Sequence, residues 1–302
     1  MRFGTYNTEI GFRERLTGGM RLRVGCAMWT HKGWLGRGLA SHVPTGRELE
    51  AYGRVVDAVE GNTTFYAQPN RDTTQRWASQ VDDDFRFVFK LPRDVTHDRR
   101  LRNAEAELRS FLDVIEPCGQ SLGPISIQLP ASFGPDDVDV LARFLGDVPD
   151  EFDWAVEVRH LAFFEGDEER RLNDLLFTNS VDRIVLDSRA VFAGPCVTEA
   201  EKEAFANKPR VPAKAVAIGD TPIVRFIGQT NPDANPEFWK PWVDTVQRWL
   251  RDGRSPIVFI HTPDNIAALE LAHRFHEEVR LLVPELAPLP SLIEPAEQSF
   301  FD

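Results

Sequence analysis

The chain has little of several things that would narrow its function quickly. Only three of its 302 residues are cysteine, namely Cys26, Cys118 and Cys196. They cannot all pair with one another and lack the spacing of a metal-ligand set. No apolar run approaches the roughly 20 residues needed to span a bilayer, so no membrane partner is expected. Residues 1–20 carry Glu9, Arg13, Glu14 and Arg15 and no apolar secretory segment, and a reducing cytoplasm is the expected setting. There is no G-x-x-x-x-G-K-[ST] phosphate loop and no G-x-S-x-G nucleophile elbow. Nucleoside-triphosphate hydrolysis and serine-nucleophile chemistry are thereby set aside. Basic residues are outnumbered, with 35 Lys and Arg against 47 Asp and Glu, a net charge of −12. That balance argues against broad nucleic-acid binding, which draws on phosphate neutralisation, but leaves room for a locally basic cleft.

What the chain does hold is a regular alternation. Short apolar runs rich in Val, Ile and Phe occur at Leu22–Met28, Val55–Glu60, Phe85–Lys90, Pro124–Leu129, Asp153–Val158, Arg183–Asp187, Ile223–Phe226 and Ile257–His261. Such runs are expected of parallel strands buried on both faces. Helical segments are predicted between them at 46–54, 73–79, 104–116, 135–145, 168–178, 199–207, 235–251 and 265–282. Asp72 is the expected cap of the second, Pro135 with Asp136 and Asp137 opens the fourth, and Asp264 or Asn265 caps the last. Eight β-then-α units imply a single-domain TIM (β/α)8 barrel over residues 21–283. The competing doubly wound sheet lacks a G-x-G-x-x-G turn after its first strand. Residues 1–20 read as a polar extension and 284–302 as a Pro-rich tail lying extended on the surface. The connection from Ser188 to Thr221 holds Gly194-Pro195, Pro209 and Pro212 and has room for a lid besides the sixth helix.

Each apolar run ends in polar or charged residues, and in such barrels the reacting groups stand at the C-terminal strand ends. The endings supply Glu60, Glu157 and Asp187 against Lys90, Arg159 and Arg225, with Trp29, Asn62, Gln128 and His261 among the remainder. Alternation along a strand puts Glu157 and Arg159 on one face and Glu60 and Asn62 on another common face. Lys90 should point inwards, with Phe87 and Phe89 outwards. Two explanations stand side by side: a structural network of mutually neutralising ions, or a working site whose ions justify their desolvation. His97 and His261 suit proton transfer. His31, His97, His160 and His261 show no H-x-H or H-E-x-x-H spacing, so neither a metal nor a cofactor is expected. Trp29, Trp34, Phe65 and Tyr66 crowd the first loops, either to anchor them or to stack on a ligand.

Several of these segments resemble the YecE-like family. The likeness rests on Val24-Gly25-Cys26-Ala27-Met28-Trp29, Val59-Glu60-Gly61-Asn62-Thr63-Thr64-Phe65-Tyr66, and Phe89-Lys90-Leu91-Pro92 with Thr96-His97. It continues through Gly123-Pro124-Ile125-Ser126-Ile127-Gln128-Leu129-Pro130 and Ala155-Val156-Glu157-Val158-Arg159-His160. It extends over roughly residues 22–282 and implies a TIM barrel without supplying a reaction. The family's seventh strand commonly ends in Arg-x-His-Gly and its eighth in Phe-Asn-Asn. Here Arg225-Phe226-Ile227-Gly228 and Ile260-His261-Thr262-Pro263-Asp264-Asn265 stand instead, so roles of those His and Asn side chains are not carried over.

The resulting expectation is a cytoplasmic enzyme, hydrolase or lyase in type, using acid–base chemistry on a small polar or anionic molecule. Glu60, Lys90, His97, Glu157 and Asp187 are the expected catalytic groups. Trp29, Asn62, Tyr66, Gln128, Arg159, Arg225 and His261 are the expected substrate ligands. Glycoside hydrolysis by Glu60 and Glu157 is disfavoured, because their strands lie three apart around the ring. The alternatives are a metal-dependent phosphoester hydrolase, conceivably directed at nucleic acid, and a non-catalytic metabolite-binding scaffold.

Overall fold

A computed structural model describes residues 20–293. The expected polar extension at residues 1–20 therefore lies outside the described residues except for Met20, as does the end of the Pro-rich tail, 294–302. The strands are β1 (Arg23–Cys26), β2 (Ala58–Gly61), β3 (Arg86–Phe89), β4 (Ile125–Gln128), β5 (Trp154–Glu157), β6 (Asp182–Asp187), β7 (Ile223–Ile227) and β8 (Ile257–His261). Around them run α1 (Glu48–Gly53), α2 (Thr63–Tyr66), α3 (Arg71–Ala78), α4 (Glu105–Ile115), α5 (Val138–Asp147), α6 (Gly166–Thr178), α7 (Arg189–Ala193), α8 (Glu199–Asn207), α9 (Pro236–Arg251) and α10 (Ala268–Leu282). All neighbouring strands pair in parallel, in the order β3-β2-β1-β8-β7-β6-β5-β4. The ring closes between β3 and β4 more lightly, through bridges of Phe87 to Leu122 and Lys90 to Ser126. Leu91 N–H donates to Ser126 O at 2.9 Å and Gly123 N–H to Phe87 O at 2.9 Å across that seam. This is a TIM barrel, and no helix among the described residues is long and apolar enough to cross a membrane.

Alternation sorts each strand into an inward and an outward set. Inward, Ala58, Val88, Ala155, Ile184, Ile223, Ile257 and Phe259 form one buried cluster that plugs the barrel. Outward, residues such as Val59, Phe87, Phe89, Val156, Phe226 and Ile260 join the larger core beneath the helices. The apolar plug explains why the polar strand-end residues stay at one mouth: the space below them is filled.

Three local details differ from the sequence reading. β1 spans Arg23–Cys26 rather than reaching Met28. Asn70, not Asp72, caps α3, its Oδ1 accepting from Thr73 N–H at 2.8 Å. A capping side chain must precede the first helical residue with an extended backbone, which Asn70 has, whereas Asp72 lies within the first turn. At α10 no side chain caps the helix. Asp264 and Asn265 instead fold the preceding loop, accepting from Ile266 N–H (3.1 Å) and Thr262 N–H (3.3 Å). Beyond α10, residues 284–293 form no helix, and Leu286 is buried. Ile293 exchanges two backbone hydrogen bonds with Gly38, at 2.9 and 3.0 Å.

The β1–β2 junction contains a side chain within its ladder. Tyr52 of α1 is fully buried; its hydroxyl accepts from Cys26 N–H at 2.7 Å and donates to Ala58 O at 2.8 Å. Gly25 is required beside it, because a Cβ there would come within 1.8 Å of Ala58 O. Tyr52→Phe would strand a buried donor and a buried acceptor at once. We expect it to lower the unfolding free energy by about 1–3 kcal/mol, read as a fall in the urea midpoint with the m-value unchanged.

Candidate active site at the barrel mouth

One guanidinium organises the mouth. Arg225 points inwards from β7 between Glu60 of β2 and Glu157 of β5. Its Nη1 donates to Glu157 Oε2 at 2.5 Å, its Nη2 to Glu60 Oε2 at 3.2 Å, and its Nε pairs with Glu60 Oε1. All three side chains are buried. Around this centre, Lys90 Nζ lies 3.1 Å from Gln128 Oε1, to which it donates, and 3.6 Å from Glu60 Oε1. Arg159 Nε donates to Glu157 Oε1 at 2.9 Å. Asn62 Nδ2 donates to both Glu60 Oε2 and Ala27 O at 2.9 Å, tying the top of β2 to that of β1. His261 Nε2 stands 3.4 Å from Glu60 Oε2, without hydrogen-bond alignment. Glu60, Lys90, Gln128, Glu157, Arg225 and His261 are therefore neighbours in one buried cluster, with the half-buried Asn62 and Arg159 at its edge.

The charges follow from this packing. Burial pushes the Glu157 carboxyl up, but Arg225, Arg159 and Lys90 outweigh it and hold it at about 2. The Glu60 carboxyl is likewise driven well below its usual range by Arg225 and Lys90 against the effect of burial. Burial lowers Lys90 to about 8, with Arg225 adding to the fall and Glu60 and Glu157 opposing it. Burial also lowers His261 to about 4 despite the attraction of Glu60. Both carboxylates are thus anions at neutral pH, the His261 imidazole is neutral, and Lys90 retains its proton with little margin.

His97 is set beside the cluster by a π-helical turn, Asp94–Asp98, a geometry that is rare and concentrated at functional sites. Its ring packs edge-on to Phe65 with centroids 5.0 Å apart. Burial and the nearby Arg159 and Arg93 lower its pKa to about 4. Its Nδ1 lies 2.9 Å from Thr96 Oγ1, which donates its proton to Pro92 O at 3.3 Å. In that arrangement Nδ1 carries the ring proton and Nε2 is an available base.

Other expected site residues stand elsewhere. Asp187 is at the end of β6, but its neighbour Leu186 takes the inward position opposite Arg225. The Asp187 carboxylate turns to the outer layer, accepting from Trp242 Nε1 (2.7 Å), Arg189 Nη2 (2.7 Å), and Arg189 Nε and N–H (each 3.0 Å). It joins α7 to α9 and does not meet the Glu60–Glu157 cluster. Trp29 packs edge-on to Trp77 of α3 at 5.0 Å. Tyr66 is 80% exposed and touches Phe65. His31 and His160 each accept a backbone N–H that opens a short 3-10 turn. Among the described residues, no three His, Cys, Asp or Glu side chains gather as a metal-binding group. Lys208, which the sequence reading missed, stands in the segment after α8. Burial lowers its pKa, and the charges of Arg225, Glu60 and Arg159 act on it as well.

The pattern has relatives. A family model described as "Protein of unknown function DUF72" matches residues 23–295. The chain belongs to the DUF72 family. The UPF0759 protein YecE of Escherichia coli K12 is 38% identical over 279 residues, covering 92% of this chain and 99% of that protein. A DUF72 family protein from Thermotoga maritima superposes with a TM-score of 0.66 at 20% identity, covering 88% of this chain and 100% of the other. One from Enterococcus faecalis gives 0.65 at 17% identity, covering 88% and 98%. These likenesses establish the DUF72 family and its TIM-barrel fold.

In this DUF72 barrel Arg225 should be indispensable to stability. Arg225→Met would leave two buried carboxylates with only Arg159 and Lys90 as counter-ions, and we expect a loss of about 3–5 kcal/mol in chemical unfolding at pH 7. The acid response follows from the sign of the Glu157 shift. Its folded value near 2 lies below the usual 4.5, so its stabilisation is present above 4.5 and lost as pH falls towards 2. Unfolding free energies measured across that window should fall steeply in the wild type and less steeply in Arg225→Met.

Proposed function

We propose that the mouth of this barrel binds a small anionic molecule and carries out acid–base chemistry on it, with Lys90 as the acid and His97 as the base. The observation that carries this reading is the uneven use of charge in the cluster. Arg225 occupies both carboxylates, leaving Lys90 and Arg159 with one positive charge in excess. Among the described residues no acceptor engages the Nη groups of Arg159. An unengaged guanidinium edge beside a buried ammonium is suited to a carboxylate or phosphate oxygen pair.

The proton-transfer roles differ from the sequence expectation. Glu157, held at about 2, is too weak a base to take a proton efficiently at neutral pH. Glu60 lies in the same position electrostatically. We assign both to holding Arg225, and the chemistry to the two groups whose environments favour opposite protonation states at pH 7. Lys90 is protonated with a value near 8, and His97 is neutral with a value near 4. Gln128 and Arg159 would orient the substrate, with Asn62 positioning Glu60. The cytoplasmic setting belongs to the same reading: Cys26, Cys118 and Cys196 are all free thiols.

A screen of small carboxylates and phosphate esters, monitored first by thermal stabilisation and then by turnover, tests the proposal. With a substrate in hand, kcat/KM should rise with pH through about 4 as His97 becomes neutral and fall above about 8 as Lys90 loses its proton. Lys90→Met should lower kcat by roughly 10²–10⁴-fold, while Arg159→Met should act chiefly on KM. Stabilisation by anions with no turnover of any of them would favour the non-catalytic binding scaffold.

A further inference from the structure

The connection from β6 to β7 begins across the upper ends of those two strands before its later part, 211–218, packs on the outer core. Val191 of α7 and Ala204 of α8 pack in one buried cluster with Leu186 and Ile227, at the upper ends of β6 and β7. After α8 the chain runs from 208 to 220 without helix or strand. Its start is fixed on both sides of Lys208. Lys208 N–H donates to Ala204 O at 2.9 Å, and Ser188 Oγ donates to Pro209 O at 2.6 Å. The Lys208 side chain is half-buried. Arg225, Glu60 and Arg159 act on its charge from the barrel and Glu203 from α8, while Lys208 itself acts on His261. Among the described residues, no side chain or carbonyl accepts a hydrogen bond from its ammonium and no carboxylate pairs with it. A partly desolvated cation without an acceptor, held over a mouth already positive, raises the energy of the empty site.

We propose that Lys208 is a ligand for a second negative charge on the bound molecule, so that the site takes a small dianion with Arg159 and Lys90 at one end and Lys208 at the other. This rests on the anion-binding reading above and extends it to a substrate class. The charge balance agrees. Among the buried and half-buried groups, Arg159, Arg225, Lys90 and Lys208 exceed Glu60 and Glu157 by two; Glu203 is exposed on α8, where solvent screens it, and the neutral His97 and His261 do not alter the difference. A dianion would neutralise the mouth, whereas a monoanion would leave Lys208 uncompensated.

The experiment titrates the full chain with inorganic phosphate, succinate and acetate at matched ionic strength and pH 7, following heat of binding and amide exchange over 199–211. The wild type should bind at least one of phosphate and succinate more tightly than acetate, and which of the two separates a phosphate from a dicarboxylate substrate. Lys208→Met should weaken the dianion by roughly 10–100-fold with acetate unchanged, and should abolish the slowing of exchange over 199–211. Lys208→Arg should restore both, and the exposed Lys202→Met should behave as wild type. If Lys208→Met binds phosphate and succinate as the wild type does while Arg159→Met does not, the dianion inference is wrong and the anion site survives. If none of the three anions binds the wild type at all, the anion site itself falls and this inference with it.

Discussion

A single guanidinium from β7 holds two carboxylates from β2 and β5 in the interior of the barrel. Each of these ions loses several kcal/mol of hydration when buried, and attraction compensates only where the geometry is close to ideal. Arginine can meet that demand because its planar fork donates in several directions and it remains charged when buried. Here Nη1 serves Glu157, while Nη2 and Nε serve Glu60. The upper ends of three non-adjacent strands are thereby fixed relative to one another. The apolar plug of Ala58, Val88, Ala155, Ile184, Ile223, Ile257 and Phe259 lies beneath them and keeps water from relieving the charges.

From this arrangement follows the electrostatic character of the rest of the mouth. Because the carboxylates are engaged with Arg225, they cannot neutralise Lys90 and Arg159 fully. Burial then lowers the lysine towards neutrality and keeps His97 uncharged. A chain with an overall charge of −12 thus gathers three cations, Lys90, Arg159 and Arg225, around two anions, Glu60 and Glu157, at one end of its barrel. Local organisation, not net charge, decides what such a surface attracts.

Much of this was legible in the sequence, for definite reasons. Strands buried on both faces read as short apolar runs, and the polar residues ending them had to lie at the mouth. The two-residue alternation correctly paired Glu157 with Arg159 and Glu60 with Asn62, and each pair is hydrogen-bonded at 2.9 Å. Asp187 shows where that reasoning weakens. A charged residue ending a strand faces inwards only if its parity agrees, and in β6 Leu186 holds the inward place. The sharing of Arg225 by two strands three apart was not readable, because it depends on how far an arginine reaches across the barrel. Lys208 left no periodic signal, since it lies beyond a helix end in an irregular segment. His97 carried its signal in residue type alone, and the π-turn that orients it has no sequence pattern of comparable clarity.

The pairing of Gly38 with Ile293 has a consequence for the order in which the molecule can assemble. Gly38, in the loop following the first strand, receives its backbone partner from a residue beyond the last helix, and Leu286, on the way there, is buried. During synthesis β1 emerges among the earliest elements, yet its loop cannot be held until almost all of the described chain has left the ribosome. The last pairing of the barrel's first loop is therefore a late, post-elongation event, and a nascent chain halted after α10 would leave both backbone groups of Gly38 without that partner.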